Sequence, residues 1–202
     1  LTDELIDEIA TNDKVIKYID IPLQHADDGV LKLMNRKGTG EGYLELIKKL
    51  RENIPEIAIR STFITGFPRE SEEAFNNLVE FLGKAKLFNA GFFKYSNEQG
   101  TPASRLDGHI KESVKTARLK KLYSAQKKVV KENNRKLVNK TLEVVAEGFD
   151  QDELVYYGRA YFNAPEIDGK VYFFSKSEVQ YGKYYQVKII KATGYDLYGE
   201  RQ

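Results

Sequence analysis

The hydrophobic period of this chain changes once, and that change limits its fold more than any other feature. Through the first part, short β-branched runs at 18–21, 57–65 and 90–96 alternate with stretches whose apolar residues recur every three or four positions. Tyr43, Leu44, Ile47 and Leu50 form one such stripe, and Phe75, Leu78, Val79 and Leu82 another. Asp27, Thr39 and Ser71 stand where helix N-caps belong. The order is βα, βα, β with strands about 30–40 residues apart, the spacing of parallel strands joined by helical crossovers. Residues 112–138 then read as one long helix with Leu119, Leu122, Ala125 and Val129 as its inner stripe. Beyond it come five short strand candidates, at 141–147, 154–162, 170–174, 184–192 and 195–200, the pattern of a small closed barrel. The spacing therefore predicts an α/β part over 1–110, a connecting helix over 111–140 and a small all-β barrel over 141–202.

Composition narrows the chemistry. The 202 residues contain no cysteine, which excludes disulfides, thiolate zinc sites, a cysteine nucleophile and cysteine-held iron–sulfur clusters within them. Apolar runs stay far below the ~18 residues of a membrane helix. The first ten residues are acidic and amphipathic, without the plan of a secretory signal, so a cytoplasmic protein is expected, and it begins at Leu1 without an initiator methionine. Charge falls in zones: net −4 over 1–110, +9 over 111–140 and −3 over 141–202. The basic stretch could face a polyanion, or simply be a solvated helix.

Parallel βα units place ligands at the C-terminal ends of their strands. The segments 21–36, 60–75 and 92–104 occupy those ends and are longer and more polar than plain turns. On the second strand Arg60, Thr62 and Ile64 share one face, while Ile59 and Phe63 share the other. Arginine beside threonine suits an anionic group such as a carboxylate, and equally a structural ion pair. His25 follows Gln24 directly after a strand and reads more readily as a hydrogen-bonded structural residue than as a catalyst. No Walker A, G-x-G-x-x-G or metal-ligand spacing occurs. The residue types alone give part of a ligand-binding barrel with no reaction attached.

Three motifs go further. "DIPLQHADDGVLKLMNRKGT", "RSTFITGFPRESEEAF" and "FKYSNEQGTPAS", in that order and spacing, resemble the later strands of radical S-adenosylmethionine (SAM) methylthiotransferases, and the last ~60 residues resemble the TRAM barrel that ends those enzymes. The resemblance implies half of a TIM-like radical SAM barrel followed by an OB-like TRAM barrel. "IPLQHA", "FNAPEIDGKVYF" and "GYDLYGE" are similar to the RimO branch, which modifies an aspartate of small-subunit ribosomal protein S-twelve. They differ from the branch that modifies a transfer-RNA adenosine. On this reading Gln24, His25, Arg60, Thr62, Ile64, Gly66 and Phe67 would line the SAM site. The reaction would remove a β-hydrogen from aspartate, insert sulfur and transfer a methyl group. The family's two 4Fe-4S clusters need cysteines that these residues lack, so neither a catalytic residue nor a metal ligand is assigned, and the chain, resembling the C-terminal portion of the enzyme, is expected to be inactive alone. The family's turn has glycine where Arg69 stands here.

Two other functions stay open: a transfer-RNA methylthiotransferase using helix 111–140 as its RNA contact, and a non-enzymatic RNA-binding barrel whose aromatics stack bases. The acidic barrel favours a basic protein over phosphate backbone.

Overall fold

The computed structural model describes residues 1–202 and divides by contacts into two compact units, Leu1–Val15 with Ile19–Val129, and Ile16–Tyr18 with Val130–Gln202. The division falls inside the long helix, not at its end.

The first unit contains α1 (Asp3–Thr11), β1 (Tyr18–Gln24), α2 (Asp28–Leu33), α3 (Gly40–Asn53), β2 (Ala58–Thr65), α4 (Glu72–Ala85), β3 (Asn89–Lys94) and most of α5 (Glu112–Arg135). The expected caps form. Asp27, Thr39 and Ser71 accept from the backbone N–H three residues on, at 3.1, 3.0 and 3.0 Å, each contributing about 1 kcal/mol. The strands form one sheet in the order β1-β2-β3. β2 and β3 run parallel with Thr62 opposite Gly91 and Ile64 opposite Phe93.

The first strand runs further than the 18–21 run expected from the sequence: β1 continues through Pro22 to Gln24. β1 lies at the edge of the sheet, where a residue without an N–H is tolerated.

Alternation along β2 sends Ile59, Ser61, Phe63 and Thr65 inward and leaves Arg60, Thr62 and Ile64 half-buried on the other face. Phe63 packs against Phe81 and Phe92, with ring centroids 6.0 and 5.9 Å away. Leu50 and Ile54, Leu78 and Leu82, and Leu122 complete this core from α3 and its C-cap, α4 and α5. The inner stripe of α5 is thus real, and two cations of the basic stretch, Lys115 and Arg118, are buried with it.

The second unit is a closed barrel, β4-β5-β6-β8-β7, of β4 (Thr141–Asp150), β5 (Val155–Arg159), β6 (Val171–Phe174), β7 (Tyr184–Thr193) and β8 (Asp196–Arg201). Val144, Val171, Phe173, Val187, Ile189 and Leu197 fill it. Irregularities at Ala146/Gly148 and Ile189/Lys191 bend β4 and β7 toward closure. At Gly158 a side chain is excluded, since a Cβ would lie 2.0 Å from the carbonyl oxygen of Val145. β5 ends three residues earlier than the hydrophobic pattern suggests. The Asn163 side chain accepts from the N–H of Ala160 at 3.1 Å and turns the chain away.

Candidate functional site

The helix-free face of the three-stranded sheet gathers the candidate residues. Arg60 donates from Nη1 to the Asp20 carboxylate at 2.6 Å, which puts Asp20 of β1 on the same face as Arg60, Thr62 and Ile64 of β2. Pro22 and Gln24 continue the Asp20 alternation along β1. Gln24 takes a left-handed backbone, φ 70°, where the strand ends. On β3 the matching positions are Gly91 and Phe93. Phe93 is 61% exposed. A Cβ at Gly91 would sit 3.5 Å from Arg60 Nη2 and 3.7 Å from Thr62 Oγ1, so the bare glycine leaves space beside the two polar side chains.

Three of the residues expected here lie elsewhere. His25 is fully buried, and its Nδ1 accepts from the Asp27 N–H at 3.0 Å. That bond fixes the tautomer with the proton on Nε2. Burial lowers the His25 pKa from 6.5 to about 4, the Asp27 carboxylate pulling it up and Arg118 pushing it further down. His25 is a neutral interior residue. Phe67 is also buried, in a small apolar cluster with Val30 and Ala74, its ring edge-on to Tyr95. Gly66, at φ 76°, has its open side filled by the stem of Lys115.

The turn after β2 is organised by a carboxylate that sequence reasoning missed. Glu70 is buried. It accepts from the N–H groups of Gly66 and Phe67, the latter at 3.1 Å, and from the Thr65 hydroxyl at 3.0 Å. Both N–H groups are therefore already bonded within the chain. Arg118 of α5 lies 3.1 Å from Glu70 Oε1 and donates to the Glu70 carbonyl oxygen at 3.0 Å. Burial pushes the Glu70 carboxyl up, against Arg118, Thr65 and the two N–H groups, which favour the anion. Next to it Arg69 holds φ 66°, stabilised by its N–H bond to the Gly108 carbonyl at 2.9 Å and by an ion pair with Asp107.

The arrangement offers a carboxylate, a guanidinium and a hydroxyl side by side, with an open glycine and apolar side chains beyond. No three His, Asp or Glu side chains converge to hold a metal ion.

Residues 1–82 match the radical SAM superfamily, and residues 138–201 match the TRAM domain. Over 197 residues the chain is 48% identical to the ribosomal protein uS12 methylthiotransferase RimO of Clostridium botulinum (strain Eklund 17B / Type B), covering 98% of this chain and 44% of that protein. The chain is radical SAM and TRAM sequence of the RimO type. The RimO proteins of Acetivibrio thermocellus and Thermoanaerobacter sp. (strain X514) are each 44% identical over 200 residues, 99% of this chain. The chain spans 44–45% of the length of these RimO relatives. The α/β unit with its parallel strands and the closed five-stranded barrel are the folds that the two RimO-type segments call for.

Proposed function

We propose that these residues form the SAM-lining sheet face and the substrate-recognition barrel of a RimO-type enzyme that adds a methylthio group to the β-carbon of an aspartate in ribosomal protein uS12. The observation that carries the reading is the Asp20–Arg60 pair beside Gly91, on the face the sequence marks as the ligand side. An amino-acid head group carries an ammonium and a carboxylate, and this face presents a partner for each. Asp20 accepts from the ammonium, and Arg60 with Thr62 holds the carboxylate by charge-assisted hydrogen bonds. Gly91 gives the ligand room to approach, and Ile64 and Phe93 offer apolar surface beyond. Gln24, at the end of β1, supplies an amide at the rim.

SAM held by Asp20, Arg60 and Thr62 would supply the methyl group and the radical chemistry that the family uses. The iron–sulfur clusters do not fit any residue here, since the sequence has no cysteine, and their ligands would lie outside these 202 residues.

For the partner, the barrel stretch 141–202 carries ten acidic and seven basic residues, which steers a basic protein toward it and phosphate away. The transfer-RNA reading leans on segment 111–140, where Lys115 and Arg118 are buried while the other nine Lys and Arg residues are exposed, so it is the acidic barrel that favours a basic protein.

The test is a chimera in which these residues replace the matching stretch of the C. botulinum relative. After cluster reconstitution, mass spectrometry should show methylthiolation of uS12 and none of transfer RNA. A chimera that is folded and cluster-loaded yet modifies only transfer RNA would overturn the reading.

A further inference from the structure

Three aromatic rings on the barrel face a cation of the chain's own. Lys170 Nζ lies 4.0 Å from the centroid of Tyr157, Lys191 Nζ 5.6 Å from Tyr198, and the Arg201 guanidinium 4.3 Å from Tyr185. A separate aromatic cluster has no such cation over it. It lines a cleft of about 700 Å³ between the β4–β5 hairpin and the segment before β7, with Phe149, Tyr156 and Tyr181 as rings and Gln151 and Glu178 as polar groups. Phe149 and Tyr156 meet edge to face at 5.0 Å. Phe149 is 37% and Tyr181 60% exposed. Arg201 donates to the Glu178 carbonyl oxygen at 3.1 Å, but the Glu178 carboxylate is in no ion pair. The hairpin turn adds Asp150, Asp152 and Glu153.

We infer that this cleft receives a cationic side chain, arginine in preference to lysine, from a basic polypeptide. Ring faces attract cations, and a planar guanidinium can lie on an aromatic face while donating two hydrogen bonds to a carboxylate. Tyr157, Tyr185 and Tyr198 show that rings of this barrel do take cations in this way. Here the carboxylate and the rings are present and the cation is missing. A nucleobase could also stack on these rings, but its phosphates would then meet Glu178 and the hairpin carboxylates. The inference rests on the proposal that the barrel meets a basic protein, and names where one of that protein's side chains would seat.

The experiment uses the 202-residue chain, isotope-labelled for NMR, titrated with a Gly-Arg-Gly-Arg-Gly peptide and with the same peptide carrying citrulline, which keeps the shape and removes the charge. Arginine peptide should shift the amide signals of Phe149, Gln151, Tyr156, Glu178 and Tyr181, and citrulline peptide should not. Glu178→Gln should weaken the arginine peptide about ten-fold and Tyr181→Ala about three-fold. Both positions are exposed, and the Glu178 carbonyl contact survives the substitution. Equal binding of the two peptides, shifts confined to another surface, or an RNA oligonucleotide moving these signals while the peptide does not, would each overturn the inference. Whole uS12 separates the two proposals. If uS12 binds with the same affinity to both variants, the cleft assignment fails and the functional reading stands. If the arginine peptide binds in the cleft and uS12 does not bind, the cleft assignment stands and the functional reading fails.

Discussion

The guanidinium of Arg118 lies 3.1 Å from the buried carboxylate of Glu70, which is itself bonded to the two backbone N–H groups that open the turn after β2. One ion pair thereby fixes α5 against the strand end that borders the candidate site. Arg118 also reaches Glu72 at 3.1 Å, but that side chain is 69% exposed and screened by water. The Glu70 contact dominates.

Removing either charge should leave the other buried without its partner. Glu70→Gln or Arg118→Met alone should therefore cost about 3–5 kcal/mol in urea unfolding. The double variant should cost less than the sum of the two, with a coupling of about 0.5–3 kcal/mol. Additive effects would show that the pair contributes nothing beyond its separate packing contacts.

His25 should give the chain an acid sensitivity. The unfolded histidine takes up a proton near pH 6.5, while the folded one, desolvated and beside Arg118, resists until about pH 4. The folded state thus binds fewer protons in that window. The stability tied to His25 is complete above about pH 6.5 and is lost as pH falls toward 4, by roughly 3 kcal/mol in all. His25→Asn keeps an acceptor for the Asp27 N–H and removes the titration. Its urea midpoint should fall less between pH 7 and pH 4.5 than that of the parent chain. Parallel curves for the two proteins would rule this out.

How much of this was legible in the sequence depends on distance along the chain. The caps at Asp27, Thr39 and Ser71, the face shared by Arg60, Thr62 and Ile64, and the change of period near residue 139 are local patterns, and local patterns read well. Glu70 was not legible. In "PRESEE" it looks like one of several acids opening a helix, and nothing linear shows it folding back onto Gly66 and Phe67, or Arg118 arriving 48 residues later. Asp20 and Gly91 left weaker signals. Asp20 alternates with Pro22 and Gln24, and an isolated glycine inside a strand marks close approach, but only the folded structure, through the Asp20–Arg60 ion pair and the closeness of Gly91 to the guanidinium, shows that both adjoin Arg60. Three-dimensional packing also removed His25, Gly66 and Phe67 from the exposed face, because the turn that carries them spends its polar groups internally.

Arg69 sits at φ 66°, a region that suits glycine and resists β-branched side chains. Arg69→Gly should leave the urea midpoint near that of the parent, the relief of backbone strain offsetting the gain in unfolded-chain freedom and the loss of the exposed pair with Asp107. Arg69→Val should lower it clearly, since valine fits this backbone poorly. If valine proves as well tolerated as glycine, the turn does not hold the left-handed conformation in solution.

The Asp20–Arg60 pair decides between a structural and a ligand-orienting role for the sheet face. Its side chains are 41% and 11% exposed, so the pair itself contributes only about 1 kcal/mol to folding. Contacts to a charged ligand group are stronger, about 1.5–3 kcal/mol each. In the chimera described above, Asp20→Asn and Arg60→Met should each weaken SAM binding by about ten- to a hundred-fold, measured by equilibrium dialysis, with a small change in urea midpoint. The informative variant is the exchange Asp20→Arg with Arg60→Asp. It restores an ion pair between the strands and so should recover the midpoint. It also places each charge opposite the wrong end of the amino-acid head group, and so should not recover SAM affinity. If the exchange restores both, the pair is structural, and the head group binds elsewhere.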